Sequence, residues 1–113
     1  MPYHLKLSED RDPIEFLSIG ELAELCGRKK ITLLKLTTRG IMPEANFRTA
    51  PNEIKKGLRK GEFVKGYRLY SKEFLVPKIV EFMKGVVQGK QITLEQRSEL
   101  ITMFQNEREY YEI

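Results

Sequence analysis

The chain has 113 residues, 41% hydrophobic and 32% charged, with a formal net charge of +4. That length fits one domain, or one domain with a helical extension, whose core buries a modest share of its surface. The longest uncharged run is LITMFQN at 100–106, far short of the ~18 apolar residues of a membrane span, and no signal peptide opens the chain; a cytoplasmic protein with no membrane partner is expected.

Taken in chain order, PYHLKL alternates Tyr3, Leu5 and Leu7 against His4 and Lys6, the pattern of a short edge strand. SEDRDP (8–13) reads as a polar connector with a turn at Asp12-Pro13. LSIGELAELCG then carries a complete helix start. Ser18 and Glu21 make a capping box and Leu17 with Leu22 a hydrophobic staple. Ile19, Leu22, Ala23 and Cys26 share one face, and Gly27 ends the helix, predicted at 18–26. Cys26 is the only cysteine and His4 the only histidine. A disulfide within the chain and a cysteine-based zinc site are thereby excluded, and no metal or cofactor is expected. Cys26 reads as a small apolar residue on a helix in a reducing compartment.

ITLLKLTTRG is the second helix, with Leu33 and Leu36 as its core pair, Ile31, Leu34 and Thr37 widening the apolar surface, and Gly40 and Pro43 as stops. Residues 44–65 read as strand ends around a long basic loop, with a helical turn at 52–58. GYRLYS is the returning strand, Tyr67 and Leu69 on one face, Arg68 and Tyr70 on the other. Ser71 caps the next helix, and Pro77 either kinks that helix or starts a new one. Ile79, Val80, Met83, Val86 and Val87 form its buried face. TLEQ (93–96) is a second capping box, opening a helix with a stripe of Leu94, Leu100, Ile101 and Phe104. The organisation is an N-terminal arm at 1–17, a main domain at 18–88 and a C-terminal helical extension at 89–113.

Charge is strongly segregated. Residues 1–26 carry net −4, residues 27–72 net +10 and residues 73–113 net −2. A basic block between acidic flanks points to a polyanion-facing surface. The acidic clusters at 9–15 and 107–112 read as solvated ends. No Gly-rich phosphate loop, Ser/His or Cys/His pairing, or apolar carboxylate pair is present, so no enzyme is expected. Two short helices joined by a tight, glycine-started turn outline a helix-turn-helix, whose second helix enters the DNA major groove in proteins built that way.

Four pieces in order, SIGELAELCG, the spacing from Gly27 to Gly40, GIMP, and GYRLYS, resemble the N-terminal domain of MerR-type regulators. That family reads I-G-E-L-A-x-x-x-G, then a helix ending T-L-x-x-x-x-x-x-G-L-L-P, then a wing ending G-Y-R-x-Y-S. The resemblance covers residues 18 to about 76. It implies an α+β, mainly helical fold: a winged helix-turn-helix with an enlarged β-hairpin wing and C-terminal helices. Phage excisionases and small terminase subunits use a similar fold. Thr32-Leu33 match the family's T-L pair, but Leu34, Lys35 and Leu36 replace the arginine and tyrosines found after it there. Lys29-Lys30 replace a Ser-Pro helix start. Twenty-two residues separate Pro43 from Gly66, a longer wing than the family's. Arg68 matches the wing arginine that meets phosphate, and no effector domain is expected.

The resulting expectation is a small DNA-binding protein: a transcription regulator or a phage-type DNA accessory factor without an effector-sensing domain. Arg28, Lys29, Lys30 and Lys35 would position and read the major groove, while Arg48, Lys65 and Arg68 hold the flanking backbone. Thr32, Arg39 and Tyr67 complete the set. Its partner would be double-stranded DNA, with a homodimer formed through residues 94–112. The alternative is an adaptor docking on a larger protein complex such as a polymerase, with Leu34 as an exposed anchor and the C-terminal stripe with Tyr110 and Tyr111 as a docking surface.

Overall fold

A computed structural model describes residues 3–50, 52–64 and 66–113, with the backbone alone for Asn52 and Val64. The chain runs β1 (Tyr3–Leu5), β2 (Ile14–Ser18), α1 (Ile19–Cys26), α2 (Lys30–Thr38), β3 (Phe47–Arg48), β4 (Asn52–Glu53), β5 (Phe63–Val64), β6 (Arg68–Ser71), α3 (Leu75–Lys84) and α4 (Leu94–Tyr110). The fold is α+β: an antiparallel four-stranded sheet ordered β1-β2-β6-β3, and a separate β4–β5 ribbon.

The sheet is covered on both faces. Leu17 and Tyr70 face a core with Leu22, Leu33, Leu75, Ile79, Leu100 and Phe104. Phe16 and Leu69 face a second cluster with Phe47 and Tyr111. This double burial explains two departures from the sequence reading. Strand β2 is not expected from the sequence, because Phe16 and Leu17 are both apolar and hide the alternation that marks a one-sided strand. On the returning strand, Leu69 and Tyr70 are both buried, whereas Tyr67 precedes β6 and is 65% exposed.

Helix α1 forms as expected. The N–H of Glu21 donates to Ser18 Oγ (3.4 Å), and the Ser18 N–H to Glu21 Oε1 (3.1 Å). Ser18 is also the last residue of β2, so strand turns into helix without a linker. On α2, Leu33 is buried and Leu34 half-buried against the same core, but Ile31 points outward, 54% exposed. Residues 52–58 hold no helical turn; β4 and β5 pair there, with Asn52 opposite Val64.

Pro77 neither kinks nor divides α3. It is the third residue of the helix, where a backbone N–H would have no intrahelical acceptor, so proline costs no bond. Ser71 acts as expected but at one remove: its Oγ accepts the N–H of Leu75 (3.0 Å) across the turn at 72–74. Val87 lies beyond α3 and is exposed; Phe82 takes a buried place instead.

The capping box at Thr93 and Gln96 opens α4 (3.1 and 3.0 Å). Leu100 and Phe104 pack into the chain's own core, while Leu94 and Ile101 are exposed. The 107–112 stretch is not a solvated end. Glu107 is fully buried and accepts from Ser71 Oγ (2.5 Å), the Ser71 N–H (3.3 Å) and Asn46 Nδ2 (2.8 Å). Asn46 also donates to the Phe104 carbonyl (2.8 Å). One carboxylate thus joins α4 to the end of β6 and to the segment before β3. Among the described residues no helix is long and apolar enough to cross a membrane.

Candidate nucleic-acid interface

Helix α2 displays Lys30, Ile31, Thr32, Lys35, Thr38 and Arg39 to solvent. Its N-cap, Lys29, makes no side-chain cap hydrogen bond, and no acidic residue lies in the first turn. Two lysines therefore stand where the helix dipole disfavours cations, by roughly 0.3–1 kcal/mol each. An anion arriving from outside would relieve that arrangement.

Two grooves flank the exposed arc of α2. The first, of about 860 Å³, lies between α2 and the α3–α4 connection. It is lined by Arg28, Lys29, Thr32, Arg39, Lys90 and Arg97 over an apolar floor that includes Leu36 and Met83, and no described acidic residue lines it. The second, of about 630 Å³, lies between the start of α2 and the strands bearing the hairpin. Lys30, Arg48, Tyr67 and Arg68 line it, with Glu44 the acidic member. At ~100° per residue, Lys35 falls between the sides marked by Lys30 and by Thr32.

The expected site residues therefore divide into two flanks of one helix. Lys29, Thr32 and Arg39 belong to the first groove, Lys30, Arg48, Tyr67 and Arg68 to the second, and Lys35 lies between. Lys65 lies outside the described residues.

Several of these side chains also have structural duties. Arg28 is half-buried, and its Nη2 donates to the carbonyls of Val86 (2.7 Å) and Met83 (3.3 Å), closing the C-terminal end of α3. Arg48 pairs with Glu44 and donates to the Gly66 carbonyl (3.1 Å). Arg68 makes no side-chain hydrogen bond or ion pair among the described residues, and its Nε is buried unpaired. Gly66 is required by close approach: a Cβ there would stand 1.8 Å from the Thr49 carbonyl oxygen.

Lys90 and Arg97 are not expected here from the sequence. They lie in the segment of net negative charge, and nothing local in the sequence ties them to the basic block. The Arg97 Nη2 donation to the Gly40 carbonyl (2.9 Å) brings the start of α4 against the end of α2. Cys26 is half-buried; burial pushes its thiol above the ordinary range, with the Arg28 guanidinium acting against that shift. Such a thiol is a poor nucleophile at neutral pH. Among the described residues no three His, Cys, Asp or Glu side chains gather as a metal site.

No family model matches the chain, and neither a curated protein nor a solved structure matches it.

Proposed function

We propose that the protein binds duplex DNA as a winged helix-turn-helix, serving as a small transcription regulator or a phage-type DNA accessory factor. Helix α2 would lie in the major groove, whose ~12 Å width accepts a helix. A helix seated there has a phosphate backbone on either side. The observation that carries the reading is the pair of cation-bearing grooves flanking α2. Arg39, Lys90 and Arg97 would take one backbone; Lys30 and Arg68 would take the other, with the β4–β5 ribbon as the wing. Lys35, exposed between them, is the residue best placed to reach base edges.

One such helix contacts few base pairs, so two copies on one site are expected, with half-sites about one helical turn apart. With Leu100 and Phe104 engaged in the core, Leu94 lining the first groove and Tyr110 stacked on Phe74, the exposed apolar side chain that α4 retains for a second copy is Ile101.

The test is a titration of fluorescent duplex DNA with the full chain. If about six phosphates are neutralised, affinity should fall ~10³-fold between 50 and 200 mM salt. Lys35→Ala with Arg68→Ala should abolish binding, and Lys90→Ala with Arg97→Ala should flatten the salt slope. Affinity insensitive to salt would overturn the reading. Variants that keep full DNA affinity would overturn the assignment of these residues, and a chain that binds no duplex yet holds a protein partner through the same substitutions would favour docking on that partner.

A further inference from the structure

The β4–β5 ribbon ends in a turn that a phosphate-gripping wing does not by itself explain. Leu58 at its tip is fully exposed, flanked in sequence by Lys55, Lys56, Arg59 and Lys60. An isolated surface leucine is ordinary; a leucine at the apex of a closed, cation-rich turn is a shaped feature. The turn is tied off below its tip. The Ile54 N–H donates to the Glu62 carbonyl (2.8 Å), and the Gly61 N–H returns to the Ile54 carbonyl (2.9 Å). Arg59 Nε pairs with Glu62 (2.6 Å), and Gly57 supplies the positive φ of 93° that turns the chain into Leu58. The apex is therefore held in place before any partner arrives, which lowers the entropy cost of using it.

We propose that Leu58 is a wedge that enters the DNA minor groove and opens a base step, bending the duplex. The inference rests on the DNA-binding reading above. The ribbon rises from Thr49 and Gly66, and Gly66 lines the groove assigned to one phosphate backbone. The minor groove lies across that backbone from the major groove holding α2. Nine residue steps separate Thr49 from Leu58, a reach of up to ~30 Å at ~3.3 Å per residue, enough to cross one backbone. Lys55, Lys56 and Lys60 are in no ion pair among the described residues and can hold the phosphates on either side of the narrow groove. Apolar side chains inserted there unstack a base step and kink the duplex by ~20–90°. Phe63, 67% exposed on the ribbon, gives its shaft a second apolar surface for the widened groove.

The experiment uses the full chain and a short duplex selected from random sequence by its binding, labelled at both ends for energy transfer. The wild type should shorten the end-to-end distance. Leu58→Ala should bind the same duplex within about threefold in affinity, with the salt slope kept, yet leave the distance near that of free DNA. Leu58→Phe should restore the bend. Because residue 58 packs against nothing, these variants should fold as the wild type does. Binding without bending, or a bend that survives Leu58→Ala, would overturn the wedge while leaving DNA binding intact. Failure of the wild type to bind any duplex would instead overturn the reading on which the wedge rests. A Leu58→Ala defect seen on anionic vesicles and not on DNA bending would assign the tip to a membrane surface and also overturn it.

Discussion

Replacing Glu107 by alanine tests how the fold is held. Its carboxylate receives two short hydrogen bonds, from Ser71 Oγ at 2.5 Å and Asn46 Nδ2 at 2.8 Å, and a longer one from the Ser71 N–H at 3.3 Å. Bonds to a charged group contribute ~1.5–3 kcal/mol each, and buried donors left without an acceptor bear the full desolvation cost. Taking ~1.5–2 kcal/mol for each short bond and under ~1 kcal/mol for the long one gives about 4 kcal/mol. That is about a quarter or more of the ~5–15 kcal/mol typical of a whole domain. In urea, at an m-value of ~1.3 kcal/mol/M, the midpoint should fall by about 3 M. Glu107→Gln should lose less, since its amide oxygen still accepts from one donor. Ser71→Ala made on top of Glu107→Ala should cost only about 1 kcal/mol more, chiefly the cap to the Leu75 N–H. A Glu107→Ala loss below ~1 kcal/mol would refute the claim that this carboxylate fastens α4 to the sheet.

Tyr70→Phe should stabilise the protein by ~1 kcal/mol, because it removes a buried hydroxyl that has no hydrogen-bond partner. Burial pushes the Tyr70 hydroxyl up to about 12, with the Arg68 charge opposing. The folded state thus keeps a proton that the unfolded chain gives up near pH ~10, and stability should drop as pH rises from that value toward about 12. Urea melts across that window should show a shallower fall in the Phe variant. Arg28→Ala should cost ~1–2 kcal/mol through the lost carbonyl contacts at Met83 and Val86, with little recovered by lysine, which lacks the planar fork; its DNA salt slope, measured below the melting temperature, should stay close to wild type. Gly66→Ala should destabilise by ~1–3 kcal/mol or more, because the new methyl group meets backbone rather than a yielding side chain. A thermal melt within a degree or two of wild type would count against the close approach of Thr49 and Gly66.

The parts legible in the sequence were those with short-range causes. Ser18 with Glu21, Thr93 with Gln96, and Gly27 each act within a few residues, so both capping boxes and the end of α1 are set by local chemistry. The α+β class and the basic character of residues 27–72 were likewise visible before any tertiary contact was known. Parts decided at long range were not. Strand β2 was concealed because both its faces are buried, and a strand sandwiched between two cores shows no alternation to read. Pro77 was a warning of a break that disappears once the helix is known to begin at Leu75.

The clearest division is among charged residues. Lysines and arginines crowd together in the middle of the chain by sequence alone. Which of them remain exposed is a matter of tertiary geometry: Arg28 is drawn onto the end of α3, while Lys90 and Arg97 are carried in from an acidic segment to stand beside Arg39. Glu107 shows the same principle with opposite sign. Its neighbours in sequence are polar and exposed, and only the arrival of Ser71 and Asn46 from distant strands and loops makes a buried carboxylate tolerable. Local hydrogen bonds and turn chemistry need only a few adjacent residues, so the sequence determines them. Desolvation of a charge depends on everything packed around it, so the tertiary structure alone decides that.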